Sequence, residues 1–460
     1  MKLIGLLLLL ASAGNAYERT VPNSVAKEAR EVLEKLIAID TTNPPGNELA
    51  VAKFVEPLLK DVGFETRVFE SAPGRGNLWA RLKGTGKKKT LLITMHTDVV
   101  GAPKEKWDTD PFVATEKQGY LYGRGAIDDK GMGAVAIAVV RHLAKSGQAL
   151  DRDLILFFGA DEEAGSQFGM AWMLKHHPEL MKAEVVLNEG GGIGLEDGRV
   201  SQAAIQLYEK LYMNVTVSAD GDSGHSSIPS QNNAVVRVAR AVANIGNYRF
   251  PVKLNTVTRA YFDGLAKSKN HPLRKVFSGL VGKNQKKKAK AIEVLVDIPF
   301  YNASLRTTCT PTVFKAGFRS NAIAGSAEAI VNCRVLPDET RAQVLGRLRK
   351  AVDDPQIKLD APTLGKPYQS PFKDPFFDAA AAVFSEMAPG AAAVPYMSAG
   401  ATDSRKLREM GYKAYGLVPM PISADDKSRM HGDNERVKIE SIDFGVEFLH
   451  RLIVRYAGAR

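Results

Sequence analysis

Apolar positions along this chain fall into short runs that alternate with longer stretches of helical spacing. Residues 24 to 62 carry apolar side chains at helical spacing on either side of TTNPPGNE, where consecutive prolines force a break. Beyond them come NLWARL and TLLITM, a helical GAVAIAVVRHLAKSG, the run DLILFFGA, a helical FGMAWMLKHH, and AEVVLN. Strand-length runs alternating with helices predict an α/β unit, a mostly parallel central sheet with helices on both faces.

Near residue 208 the texture changes. LYMNVTVSAD, TPTVFKAG and SAEAIVNCRVLP alternate apolar and polar positions, as strands with one wet face do, while NNAVVRVARAVANI and ETRAQVLGRLRKAV read as helices. From about residue 363, DPFFDAAAAVFSEM and KAYGLVPM return to helix and strand alternation. The predicted organisation is one α/β domain over 17–208 and 363–460, interrupted by a smaller α+β domain over 209–362.

The N-terminus changes the picture of location. MKLIGLLLLLASAGNA, residues 1–16, has an early lysine, a leucine run too short to span a bilayer, and small residues before Tyr17. It reads as a signal peptide cleaved after Ala16, so the mature protein is expected to be exported, periplasmic or secreted. No later apolar run nears the roughly 18 residues of a spanning helix, and no stable membrane insertion is expected. With 45% hydrophobic and 25% charged residues, the chain has the composition of a folded protein rather than a disordered one. The net charge is +11, but the densest basic runs, KGTGKKKT and KNQKKKAKAIE, contain no aromatics. No nucleic-acid partner is therefore expected, and docking on anionic polymers would rest on the lysines alone. The two cysteines, Cys309 and Cys333, could be oxidised in an exported chain or remain a reduced pair; the sequence leaves both open.

Chemistry gathers at the ends of the predicted strands, where an open α/β sheet binds its ligands. TLLITM leads into His96 and Asp98, DLILFFGA into Asp161, Glu162 and Glu163, and AEVVLN into Glu189; GRGAIDDKG sets Asp128 and Asp129 before a helix. Singly these are ordinary: a hydrogen-bonded turn at HxD, acidic residues at a helix start, capping aspartates. Together, so many carboxylates repel one another unless a cation lies among them. Histidine with carboxylates favours zinc, or manganese and cobalt, over calcium. The number of potential ligands exceeds what one catalytic zinc takes, which predicts two metal ions sharing a carboxylate.

HTDVV, GRGAIDDKG, ADEEAGS, LNEGGG and MHGDNER, in that order, resemble the metal-binding motifs of the M20 family of metallopeptidases, from about residue 25 to the C-terminus. The resemblance implies a zinc-peptidase-like catalytic domain with an inserted lid and dimerisation domain. It implies His96, Asp128 and Glu189 as ligands of one zinc, and Asp128, Glu163 and His431 as ligands of the other, with Asp128 bridging. Asp98 matches the carboxylate that orients His96, and Asp129 has no assigned role. Glu162 matches the general base, which takes the proton of a water attacking a zinc-polarised amide carbonyl and returns it to the leaving nitrogen.

Further matches lie in the inserted segment. GDSGHSSIPS resembles the lid motif, with His225 as the residue that stabilises the oxyanion, in relatives often across a subunit boundary; a homodimer is thereby implied. Asn321 in RSNAIAG and Arg334 in VNCRVLP match substrate-contacting lid positions, the guanidinium suiting a terminal carboxylate. SAGATDSR, residues 398–405, with Gly400, resembles the loop lining the substrate site. His142, His176, His177, His271 and His450 fall outside the motifs and are expected to be ordinary helix or surface residues. Within the family the pattern is most similar to the carboxypeptidase S and N-acyl-amino-acid hydrolase branch. The expected reaction is cleavage of a peptide or N-acyl amide bond next to a free carboxylate, by a carboxypeptidase, dipeptidase or N-acyl-amino-acid hydrolase. The alternative is an exported metal- or ligand-binding protein of the same fold that has lost turnover.

Overall fold

A computed structural model describes residues 17–459; the expected signal peptide lies outside the described residues. Eight strands form the central sheet in the order Glu65–Glu70, Gly76–Leu82, Leu154–Gly159, Leu91–His96, Val185–Glu196, Lys413–Ser423, Arg199–Glu209, Ala392–Ser398. The strands from Leu154–Gly159 through Lys413–Ser423 run parallel, as expected. The flanks depart from that pattern. Glu65–Glu70 and Gly76–Leu82 form an antiparallel edge, and Arg199–Glu209 returns antiparallel to Val185–Glu196, so the sheet is mixed.

Both faces of the sheet are covered, which is why its strands read as continuous apolar runs. Leu91, Ile93 and Met95 pack on one side with Leu154, Leu156 and Phe158, against helices Asn23–Ala38, Lys130–Lys145 and Ile439–Ala457. Leu92, Ile155 and Phe157 point to the other side, onto Met170, Met173 and Leu407.

A second, antiparallel sheet has the order Thr308–Ala316, Ser326–Val335, Leu211–Asp220, Lys358–Asp360. Its alternating strands bury Met213, Val215, Val217 and Val331 against Val238 and Leu348 of helices Ala234–Asn247 and Arg341–Val352. Cys309 and Cys333 lie directly opposite each other on neighbouring strands and are joined in a disulfide.

Not all helices of the span 209–362 pack on the second sheet. Helices Thr256–Lys267, Arg274–Val281, Gln285–Val296 and Pro299–Leu305 bury Tyr261, Phe262, Phe277 and Leu295 against Ala204, Val394 and Tyr396 of the central sheet. Their apolar stripe matches that edge, a pairing no local periodicity encodes. Among the described residues no helix is long and apolar enough to cross a membrane.

Candidate metal centre

Because the central strands run parallel, their carboxyl ends open on one edge of the sheet. His96 is the last residue of its strand, and Asp161 to Glu163 follow Leu154–Gly159 in a tight turn in which Asp161 takes φ 66°. Glu189 stands inside a longer strand than expected, one that continues through its glycines to Glu196. Gly191 permits this, since a Cβ there would collide with the carbonyls of Gly416 and Ala204.

His431 comes from the far end of the chain. The strand Arg436–Lys438 pairs with Tyr120–Tyr122, which lays the 431–435 turn beside the 123–129 loop. Glu435 then fastens the two together: its fully buried carboxylate accepts the N–H groups of Gly125 at 3.1 Å, Ile127 at 2.8 Å and Asp128 at 3.2 Å, and pairs with Arg124 at 2.7 Å.

At the centre, the two oxygens of Asp128 face two different histidines. Oδ1 is 2.9 Å from His96 Nε2 and Oδ2 is 3.1 Å from His431 Nε2, while His431 Nε2 is also 3.0 Å from Glu163 Oε1. Donor atoms of His96, Asp128 and Glu163 all lie within 4.8 Å of one another. Asp129 beside them is buried with neither carboxylate oxygen paired among the described residues.

Charge at this edge is strongly perturbed. Burial, reinforced by Glu162, Asp128 and Asp129, pushes the Glu189 carboxyl well up, and burial with Asp403, Glu163 and Asp128 does the same to Glu162 against the pull of His96. Burial opposes ionisation of Asp128 too, but hydrogen bonds from His431 and His96 overcome it and hold this carboxyl low. Hydrogen bonds to Asp128 and Glu163 raise His431 to about 10. Two imidazoles and a group of carboxylates, some unpaired, form a donor set that fits divalent cations of the zinc class.

The other residues named from the sequence have the following partners. Asp98 is adjacent, with its carbonyl 3.0 Å from His96 Nδ1 and its carboxylate farther, at 3.5 Å. His225 and Asn321 meet each other instead: Gly224–His225 pairs with Ala322–Ile323, and the Ser226 N–H donates to the Asn321 carbonyl at 3.1 Å. His225 is exposed and hydrogen-bonds to Ser227. Arg334 lies over the Tyr212 ring at 5.0 Å, with Nη1 buried and unpaired among the described residues. Gly400 is exposed in its loop, its N–H donating to Ser398 Oγ at 3.1 Å.

Several residues at the site carried no signal of their own. Asn43, in the proline-rich break, donates to Asp98 Oδ2 at 2.8 Å and to Asp161 Oδ1 at 3.1 Å. Arg75 pairs with Glu48 at 2.6 Å and Asp161 at 3.1 Å, and Asp403 accepts the Ser166 hydroxyl behind Glu162. For Asp403 and Glu435 a usable hint existed, since they fall within SAGATDSR and MHGDNER.

Comparison with known proteins places this arrangement. A profile of Peptidase family M20/M25/M40 matches residues 92–455. The N-fatty-acyl-amino acid synthase/hydrolase PM20D1 of Xenopus tropicalis is 29% identical over 466 residues, covering 95% of this chain and 88% of that protein. The probable carboxypeptidase S-like 2 of Dictyostelium discoideum is 28% identical over 375 residues, 79% of this chain and 71% of its own. The M20 family metallo-carboxypeptidase Sso-CP2 from Sulfolobus solfataricus superposes with a TM-score of 0.69 at 21% identity, over 93% of this chain and 99% of that one. With the profile spanning most of its length and relatives of the same kind matching nearly end to end, the chain belongs to the M20/M25/M40 peptidase family.

Proposed function

We propose that the protein is a di-metal hydrolase, zinc-loaded with manganese or cobalt as substitutes, which cleaves a peptide or N-acyl amide bond next to a free carboxylate. The observation that carries this reading is Asp128, whose two oxygens face His96 and His431 from segments far apart in the chain. A carboxylate so placed suits a bridge between two cations, with Glu189 completing one ligand set and Glu163 the other. Bound ions would polarise the substrate carbonyl and lower the pKa of the attacking water. Glu162 is the residue that accepts the proton of that water and hands it to the departing nitrogen. Arg334, whose Nη1 is unpaired among the described residues, takes the substrate carboxylate, with Asn321 and the Gly400 loop beside it.

The names of the relatives support this substrate class. One is named for N-fatty-acyl-amino acids and others for carboxypeptidase activity, both of which present an amide beside a carboxylate. Export fits the disulfide, a bond that persists in oxidising compartments. His225, exposed and turned to Ser227, is the oxyanion residue of a partner subunit in this reading. The edge strand Thr308–Ala316 exposes Val313 and Phe314, an apolar edge suited to pairing with a second copy.

The test is metal analysis of the purified protein followed by a panel of dipeptides and N-acyl amino acids scored by released amine. About two ions per chain are expected, chelation abolishes turnover, and Glu162→Gln keeps the metal but loses about 10²- to 10⁴-fold in kcat. Full activity in that variant removes Glu162 from its role; a protein that binds no metal removes the whole reading.

A further inference from the structure

Lys210 is the one residue between strand Arg199–Glu209 of the central sheet and strand Leu211–Asp220 of the second sheet, and it is fully buried. Its backbone N–H donates to the carbonyl of Ser398, in the central sheet, at 2.9 Å. Its ammonium donates to the carbonyls of Ala303 at 3.0 Å and Arg306 at 2.8 Å and to Thr308 Oγ1 at 3.2 Å. All three acceptors are neutral. Among the described residues no carboxylate pairs with this ammonium, and three neutral acceptors, two of them carbonyls at the end of helix Pro299–Leu305, depend on it instead.

The acceptors show what the lysine joins. The chain passes from the central sheet into the second at 209–211 and from helix Pro299–Leu305 into the second at 306–308, and strand Ser326–Val335 ends beside them at 335–336. Lys210 ties the first crossing to the second, and Thr307 ties the second to the end of strand Ser326–Val335 through its Oγ1, which accepts the Leu336 N–H at 2.9 Å. Arg334 sits between the tied strands: in register it faces Thr308 on one side and Tyr212 on the other. Thr308 is bonded to Lys210, and Tyr212 is two residues beyond it. On the opposite side of the joint, Glu209 accepts the Thr402 hydroxyl at 2.8 Å, within the 398–405 loop.

We infer that Lys210 is a positioning residue for substrate: by clamping the crossings between the sheets it fixes where Arg334 stands relative to the 398–405 loop, and so how the substrate carboxylate is gripped. The inference rests on the reading of Arg334 given above. It assigns Lys210 no contact with substrate or with the reacting atoms.

Lys210→Met keeps the length and removes all three donated bonds; Thr308→Val, a milder change, removes one acceptor. For the best-cleaved substrate of the panel, Lys210→Met is expected to raise KM by about 10-fold or more, the scale of one lost well-placed polar contact, with little change in kcat and none in bound metal. Thr308→Val shifts KM the same way by less. For the same substrate with its carboxylate replaced by a carboxamide, the KM effect of Lys210→Met should vanish. Arg334→Ala added to Lys210→Met should cost less than the product of the two single changes. Unchanged KM in both variants, an equal KM effect on the carboxamide, or fully multiplicative effects would each overturn the inference.

Backbone hydrogen exchange separates this from the fate of the proposed activity. Faster exchange at Thr308 and Leu336 in Lys210→Met supports the clamp even if the wild-type protein cleaves nothing on the panel, an outcome that sinks the hydrolase reading. Unchanged exchange there sinks the clamp whatever the activity.

Discussion

Asp98 fastens the His96 strand to the turn that carries Glu162: its Oδ1 accepts the Glu162 backbone N–H at 3.0 Å and its Oδ2 that of Glu163 at 3.1 Å. His96 Nδ1 meets the Asp98 carbonyl more closely than the carboxylate. The carboxylate thus holds the acidic turn while also lying 3.5 Å from the His96 ring, which the sequence pattern expects it to orient. Asp98→Ala leaves two backbone N–H groups without an acceptor, removes one of the two bonds of the Asn43 amide and frees Glu162 and Glu163 together. Metal affinity should fall by about 10- to 100-fold, as for other residues that orient ligands, measured by competition with a chromogenic chelator. Wild-type affinity in this variant would mean that the turn is held by other contacts.

Glu435 is the corresponding clamp on the His431 side. Its removal leaves Arg124, itself buried, without its partner and three backbone N–H groups without an acceptor. Glu435→Ala should lower unfolding stability by about 3–5 kcal/mol, the scale for breaking a buried ion pair from one side. Urea denaturation of wild type and variant, both stripped of metal, measures it; a loss under about 1 kcal/mol would contradict the structural assignment.

The disulfide between Cys309 and Cys333 closes a loop with a sequence separation of 24. Replacing both cysteines with serine should cost about 3 kcal/mol through the freedom restored to the unfolded chain. The loss should be confined to the second sheet, seen as faster exchange of its amides while the central sheet keeps its protection. Uniform loss across both sheets would show that the two unfold as one unit.

His271 gives the protein a defined acid sensitivity. Its ring is buried, with Nε2 3.1 Å from the Tyr301 hydroxyl and the Phe277 ring in T-shaped contact at 4.9 Å, and burial pushes its pKa from 6.5 down to about 4. In the unfolded chain the imidazole takes its proton near 6.5, so between about 6.5 and 4 the unfolded state binds more protons. The contribution is therefore complete above that window and declines through it as pH falls, by at most about 3 kcal/mol. His271→Gln should flatten this part of the profile when urea midpoints at pH 7 and pH 4.5 are compared. An identical slope in wild type and variant would rule His271 out as its source.

Much of the site was legible in the amino-acid sequence because its donors are local. His96, Glu163 and Glu189 each stand at or just past a run of apolar residues, and a parallel sheet carries all such positions to one edge. The clamps were legible only in part. Asn43 lies in a proline-rich break, and although Glu435 falls within MHGDNER, no local pattern names its partners; each acts on a partner distant in sequence. The span 209–362 shows the same limit, since its helices are amphipathic whether they cover the second sheet, as Ala234–Asn247 and Arg341–Val352 do, or the edge formed by Ala204 and Val394, as the helices of 256–305 do.

By itself the sequence determined the α/β class, the strand ends that carry the chemistry and the candidate metal-binding donors, because periodicity and residue type are properties of short segments. The folded chain alone decided the antiparallel flanks, the pairing of Cys309 with Cys333, the attachment of helices 256–305, and the way Asp98, Glu435 and Lys210 hold the loops in place. These depend on which surfaces meet across hundreds of residues, and that choice is made by packing and by the need of each buried polar group for a partner, not by any local pattern.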